Sequence, residues 1–170
     1  MTTNDDWRIK FGKRVYTLRK ARKLKQEEMS KLSKIGRTEI SSIENGRRSI
    51  KFSRLVTLAN TMQVEIFSFF NDAEELPVRH VEFQQKTANE ESKEFGKRLM
   101  RLRDHRSLTQ VELEVLSNIT HSDISRFETG KGNIELDTVH ILAKALEVTI
   151  ADLFDYNGPL PDNSKFKGKI

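Results

Sequence analysis

The chain has 170 residues, no cysteine and a formal net charge of +5. The lack of cysteine excludes a disulfide framework and a thiolate metal site, and no apolar run approaches the roughly 18 residues that a membrane-spanning helix needs. The opening MTTNDDWRIK has no apolar core of the signal-peptide kind, so a cytoplasmic protein is expected.

Residues 11–71 lie over residues 95–155 at a constant offset of 84, without a gap, and 23 of the 61 pairs are identical. Phe11/Phe95, Arg19/Arg103, Gln26/Gln110, Ile40/Ile124, Glu44/Glu128 and Gly46/Gly130 are among them. Each copy is the size of a small helical domain, with little room for a deep substrate cleft. Their charges differ. The first copy has 14 Lys+Arg against 5 Asp+Glu, and the second has 8 against 10. A strongly basic small domain is the electrostatic footprint of a polyanion binder, and the second copy lacks it.

In chain order, apolar spacing at Phe11, Val15 and Leu18 predicts a first helix over 9–21. A break at 23–25 leads to a second helix over 26–34, with Met29 and Leu32 inward. A third helix over 37–44 follows, its N-cap at Gly36 and its apolar side at Ile40 and Ile43. Gly46 reads as its C-terminal breaker. Ser53 is taken as the cap of a fourth helix carrying Leu55, Leu58 and Met62, and a short last helix runs from about Glu65 to Phe70. The second copy repeats the series: 95–104, 110–118 with Leu113 and Leu116 inward, 121–128, a helix capped by Asp137, and a last helix from Thr149 to Phe154. Thr109 with Glu112, and Thr149 with Asp152, have capping-box spacing, and Thr120 caps the helix at 121. The fold expected is all-α, two tandem five-helix domains.

Two short helices in close succession, the second apolar inside and polar outside, are what a helix-turn-helix requires. Such a helix fits the DNA major groove and can present its outer face to base edges. The runs LKQEEMSKLSKIGRTEISSIENGRRSI and LTQVELEVLSNITHSDISRFETGKGNI, followed by LVTLANTMQVEIFSFF and ILAKALEVTIADLF, resemble the lambda-repressor/Cro-type domain of the XRE family. The resemblance implies that the third helix of each copy is the recognition helix. Arg37, Thr38 and Ser42, and in the second copy His121, Ser122 and Arg126, are then the base-contacting candidates. Gln26 and Gln110, at the start of the second helix, take the family's phosphate-contacting position. The family also pairs an arginine of the first helix with the glutamate that ends the third, implying Arg19–Glu44 and Arg103–Glu128 as structural ion pairs.

An arginine placed as Arg37 is can pair bidentately with guanine, worth about 1–3 kcal/mol of discrimination. Arg47, Arg48 and Arg54, with Lys131 in the second copy, suit phosphate, which sets affinity without reading sequence. The second copy replaces Arg47, Arg48 and Arg54 by Lys131, Gly132 and Thr138. It either assists DNA contact weakly or serves as a protein-binding or dimerising module. His80, His105, His121 and His140 have no metal-ligand spacing. No nucleophilic site and no glycine-rich phosphate loop is visible, so no metal, no cofactor and no enzymatic activity are expected.

The domain layout expected is 1–72 as the main DNA binder, 73–92 as an acidic linker, 93–156 as the second domain and 157–170 as a flexible tail. Within the linker, 78–83 alternates as a short docked strand or an extended connector would. Phe67, Phe69, Phe83 and Phe166 are candidates for contact between chains, and a homodimer is expected. The reading is a sequence-specific double-stranded DNA-binding transcriptional regulator, most simply a repressor acting by operator occlusion. The alternative is an interaction or antitoxin-type module whose second domain holds a protein partner.

Overall fold

The computed structural model describes residues 5–71 and 83–168, and the chain divides between Lys86 and Thr87 into two units. In the first unit α1 (Asp5–Ala21), α2 (Gln26–Ser33), α3 (Arg37–Glu44) and α4 (Phe52–Met62) are followed by a single 3-10 turn (Ile66–Phe69). In the second, α5 (Ala88–His105), α6 (Gln110–Ser117), α7 (His121–Glu128), α8 (Leu136–Ala145) and α9 (Ile150–Phe154) repeat the order. Each unit wraps its own core: Phe11, Val15, Leu18, Met29, Ile40, Leu55 and Phe69 in one, and Phe95, Leu99, Leu102, Leu113, Ile124, Leu142 and Leu153 in the other.

The duplication extends to the backbone. Among the described residues six non-glycine positions have positive φ, and they fall into three pairs 84 apart: Lys23/Ser107, Lys34/Asn118 and Gln63/Glu147. Only Asn118 is a residue that tolerates this region readily. Tertiary packing therefore imposes the same turns on unlike side chains. Gly46 and Gly130, at φ +67° and +70°, end α3 and α7 where a side chain would be strained.

The helix starts follow the side chains available. Thr109 accepts from Glu112 N while the Glu112 carboxylate accepts from Thr109 N at 2.6 Å, and Thr149 with Asp152 does the same. In the first unit Lys25 has no acceptor oxygen, so only the return bond, Lys25 N to Glu28 Oε2 at 2.6 Å, is made. The fourth helices start one residue before the expected caps. Lys51 and Glu135 occupy the N-cap positions, which puts Ser53 and Asp137 inside the first turn. Residues 88–92, expected as linker, belong to α5, because Thr87 and Glu90 close a capping box ahead of them.

Several expectations about exposure are overturned. Leu32 is 62% exposed, because Ser33 and Ile35 take the inward positions at the α2 end. Phe69 and Phe166 are buried and are not available for contact between chains. Residues 157–168, expected to be flexible, are laid against the second unit. Arg98, almost fully buried, donates to the carbonyls of Asp152, Gly158 and Pro159, each at 2.9 Å. Burial is the main reason, with the neighbouring Arg101, that the Arg98 guanidinium sits below its ordinary pKa. Asn163 Nδ2 donates to His105 O at 2.9 Å. The alternation at 78–83, apart from Phe83, lies outside the described residues, as does His80.

One contact sets the depth at which the third helix sits. A Cβ on Gly12 would press into the carbonyl oxygen of Ile43 and lie 2.7 Å from that of Glu44, and Gly96 meets Phe127 and Glu128 in the same way. The last turn of α3 thus rests on bare α1 backbone, and α7 rests likewise on α5. Gly12→Ala and Gly96→Ala are each expected to cost about 1–3 kcal/mol by forcing these helices apart. Urea unfolding followed by circular dichroism measures the loss. Gly36→Ala, where only Thr38 Oγ1 lies within 4.0 Å of the added atom, is the mild control.

Candidate nucleic-acid interface

Glu44 ends α3 with its side chain turned inward. Arg19 of α1 grips it with two bonds, Nε to Oε1 at 2.5 Å and Nη2 to Oε2 at 2.9 Å, and sends Nη1 to Leu24 O at 2.7 Å. Gln26, first residue of α2, donates its amide N–H to the same Oε2 at 2.8 Å. The carboxylate thus joins α1, the α1–α2 turn, α2 and α3. The bond to Glu44, ahead of the opposing effect of burial, raises the Arg19 pKa above its already high value. The second unit has the same arrangement around Glu128: Arg103 at 2.6 and 3.1 Å, Gln110 at 2.7 Å, and Arg103 Nη1 to Leu108 O at 2.7 Å. Gln26 and Gln110, placed at the phosphate position by sequence, therefore each spend an amide hydrogen on a buried carboxylate.

With α3 held on its inner side by Ile40, Ile43 and Glu44, its outer side is left to solvent. Arg37 and Thr38 are exposed, Ser42 is half-buried, and Arg47 and Arg48 are exposed just beyond the helix. Arg37 makes a long contact, 4.0 Å, to Glu27 of α2. Arg54 is half-buried and stands 3.9 Å from Glu39. Not every cation of the basic unit faces outward. Arg14 Nε donates to Ser68 O at 2.9 Å and Arg22 Nε to Met62 O at 2.8 Å, so with Arg19 three of the arginines serve the fold. Sequence reasoning missed these two anchors. Their signal was the identity of Arg14 with Arg98 and of Arg22 with Arg106 in a pair of copies that otherwise diverge in surface charge.

The second unit presents a different outer surface. His121, Ser122 and Arg126 are exposed on α7, and so is Lys131. His121 is engaged: Glu114 of α6 accepts from its backbone N–H at 2.9 Å and lies 2.6 Å from Nδ1. Arg126 reaches Asp123 at 3.4 Å. On α6, Val111 and Val115 are 57% and 67% exposed, where the first unit carries Glu27 and Lys31. Among the described residues no group of three His, Cys, Asp or Glu could hold a metal ion, and no helix is long and apolar enough to cross a membrane.

A helix-turn-helix family model matches residues 15–69 and again residues 99–153, which together make up most of the chain. The chain belongs to the helix-turn-helix family. Its two domains are of the lambda-repressor/Cro, XRE-like type, arranged in tandem. No curated protein and no solved structure gave a match. Membership makes the chain a non-catalytic DNA-binding protein of the transcription-regulator class. The matched ranges take in α2 and α3 of the first unit and α6 and α7 of the second.

Glu114 supplies a test of the α6–α7 contact. The backbone N–H of His121, and secondarily its ring, hold the Glu114 carboxyl below the ordinary glutamate range. A group depressed in the folded state contributes stability that is fully present above its unfolded pKa and is lost as pH falls through the folded one. Glu112 and Asp162 are lowered in the same direction, by bonds from Thr109 and Ser164. Glu114→Gln is therefore expected to flatten, without abolishing, the acid-side decline in stability of the second unit. Urea midpoints over roughly pH 3–6 measure the slope.

Proposed function

We propose that the protein is a sequence-specific transcriptional repressor that occludes its operator, with the first unit as principal reader. The observation that carries this reading is the outer side of α3. Arg37 and Thr38 are exposed on a helix whose depth is set by Gly12 and whose last turn is clamped by the Arg19–Glu44 pair. Arg37, Thr38 and Ser42 face the bases in this reading, and Arg37 pairs bidentately with a guanine. Arg47, Arg48 and Arg54 take phosphates, with Gln26 using its second amide hydrogen. In the second unit His121, Ser122 and Arg126 meet bases, and Gln110 and Lys131 meet the backbone, with fewer cations to hold them there. Two half-site readers in one chain, doubled in a homodimer, fit a long operator read in the cytoplasm.

A second reading has support from one observation. Exposed Val111 and Val115 on α6, beside Glu114, replace the charged pair Glu27 and Lys31 of α2. This suits the second unit to a protein partner or to dimerisation, as in an antitoxin-type module, better than to a polyanion.

Duplex binding by the whole chain is expected to weaken steeply with salt, each phosphate contact adding about 0.9 to the slope of log K against log salt. Arg47→Ala with Arg48→Ala should lower affinity on all duplexes and reduce that slope by about 2. Arg37→Ala should relax preference at one base pair by about 1–3 kcal/mol while leaving non-specific binding nearly intact. Selection of duplexes from a random pool, followed by titration at several salt concentrations, separates the two effects. If neither substitution changes anything, the α3 assignment falls. If His121→Ala with Arg126→Ala leaves the selected site unchanged while Val111→Glu abolishes self-association, the second reading holds for the second unit.

A further inference from the structure

α7 begins at His121, and Glu114 of α6 holds that residue twice through one oxygen. Its Oε2 accepts the His121 backbone N–H at 2.9 Å and lies 2.6 Å from ring Nδ1. The Glu114 carboxyl is held below the ordinary glutamate range, chiefly by that backbone N–H, so near neutral pH it is ionised and can only accept. Nδ1 is then the nitrogen that carries a proton. A neutral imidazole has one proton for its two nitrogens, and the bond made by one decides the state of the other. Nε2 is therefore left as a bare acceptor. It has no hydrogen-bond partner among the described residues, and the side chain is 56% exposed. The neighbouring charges on α7 are engaged with each other: Arg126 reaches Asp123 at 3.4 Å, and Asp123 also accepts the Thr120 hydroxyl at 3.1 Å. The first unit has no equivalent of this pair. At the offset of 84, Ser30 stands for Glu114 and Arg37 for His121.

We propose that Glu114 is a positioning residue that determines base specificity: by keeping the proton on Nδ1 it makes His121 Nε2 an acceptor for the exocyclic amine of adenine or cytosine. This rests on the reading that His121 meets bases, and it names the chemistry met there. In the major groove only adenine N6 and cytosine N4 present donors, whereas guanine O6 and N7 and thymine O4 accept. A bare Nε2 bonds to the amines and sets a lone pair against the acceptors of guanine and thymine. The equivalent residue of the first unit has the opposite polarity. Arg37 offers donors only, which suits guanine. Two units built on one frame therefore select opposite hydrogen-bonding partners at the same place in the helix. The two halves of the operator are not copies of each other: guanine stands where Arg37 reads, and an amine-bearing base where His121 reads. Without the Glu114 carboxylate the ring takes its proton on Nε2, the form that an unbonded histidine side chain favours. The outward nitrogen then donates, and the preference for an amine is lost.

The proton is located first, on the isotope-labelled full chain without DNA, from the ring nitrogen shifts of His121 at about pH 8.5, roughly two units above the ordinary imidazole range. Nδ1 should carry hydrogen and Nε2 none, and Glu114→Ala should move the hydrogen to Nε2. Alanine is a strong helix former, so α6 is kept, which circular dichroism checks. Duplexes are then selected from a random pool at the same pH. The position whose preference disappears in His121→Ala should hold adenine or cytosine. Replacing that base by its analogue without the amine (purine for adenine, pyrimidinone for cytosine) should weaken binding by the unmutated chain roughly tenfold and binding by Glu114→Ala less than about twofold. A proton on Nε2 in the unmutated chain, or on Nδ1 in Glu114→Ala, would overturn the proposal. So would guanine or thymine at the position assigned to His121, a result that leaves base reading by the second unit standing. A pool that yields no second half-site removes that base reading, and the proposal with it.

Discussion

Everything about the presented surface of these domains depends on a carboxylate that is almost wholly buried. Glu44 and Glu128 end α3 and α7 facing inward, and each is neutralised by a two-pronged arginine from the first helix of its unit and an amide from the start of the second. Breaking such a pair by removing one partner costs about 3–5 kcal/mol, because the remaining charge is left buried. The pair is directional where an apolar contact is not. It sets the rotation of α3 and α7 about their axes, while the glycine contact sets their depth. Rotation and depth together decide which side chains of an eight-residue helix stand outward.

On that shared frame the two domains have diverged at the surface. The first has Arg37, Arg47 and Arg48 outward. The second has an imidazole tied to Glu114, a thinned set of cations and two exposed valines on α6. The polar links that tie one element to another hardly changed: Arg14/Arg98, Arg19/Arg103 and Arg22/Arg106 keep both identity and the type of bond made, whether buried or half-buried. Substitution at the surface costs little, whereas substitution at a satisfied buried charge costs several kcal/mol. Retention in one chain of duplicated arginines that bond to carbonyls follows from that difference. It also means that the formal charge of the first domain overstates what it offers to phosphate.

Much of the fold was legible because its signals are local. The bounds of α3 and α7, the capping boxes at Thr109 and Thr149, and the Arg–Glu pairs carried over from the family resemblance all agree with the structure. What escaped depends on contacts distant in sequence. Leu32 has the spacing of a core residue, yet Ile35 takes its place. Phe166 stands in a Pro- and Gly-rich tail that reads as unpatterned, yet it is buried on Arg106. Ser53 and Asp137 are good capping residues by type, but Lys51 and Glu135 occupy the cap because the preceding loop arrives there. For the candidate site the residues on the outer face were legible. The engagement of Gln26 and Gln110 by buried carboxylates, and of His121 by Glu114, was not.

By itself the sequence determined that one helical unit occurs twice, where its helices lie, and which copy carries the positive charge. Periodicity, capping and composition are properties of neighbours along the chain, and an 84-residue offset is visible without coordinates. Only the tertiary structure decided how a charged side chain divides its donors between fold and surface. Arg22 and Arg106 are the same residue in the same local context, yet one borders an open groove and the other lies under the tail. That difference arises because residues 160 and beyond return across a helix made more than fifty residues earlier.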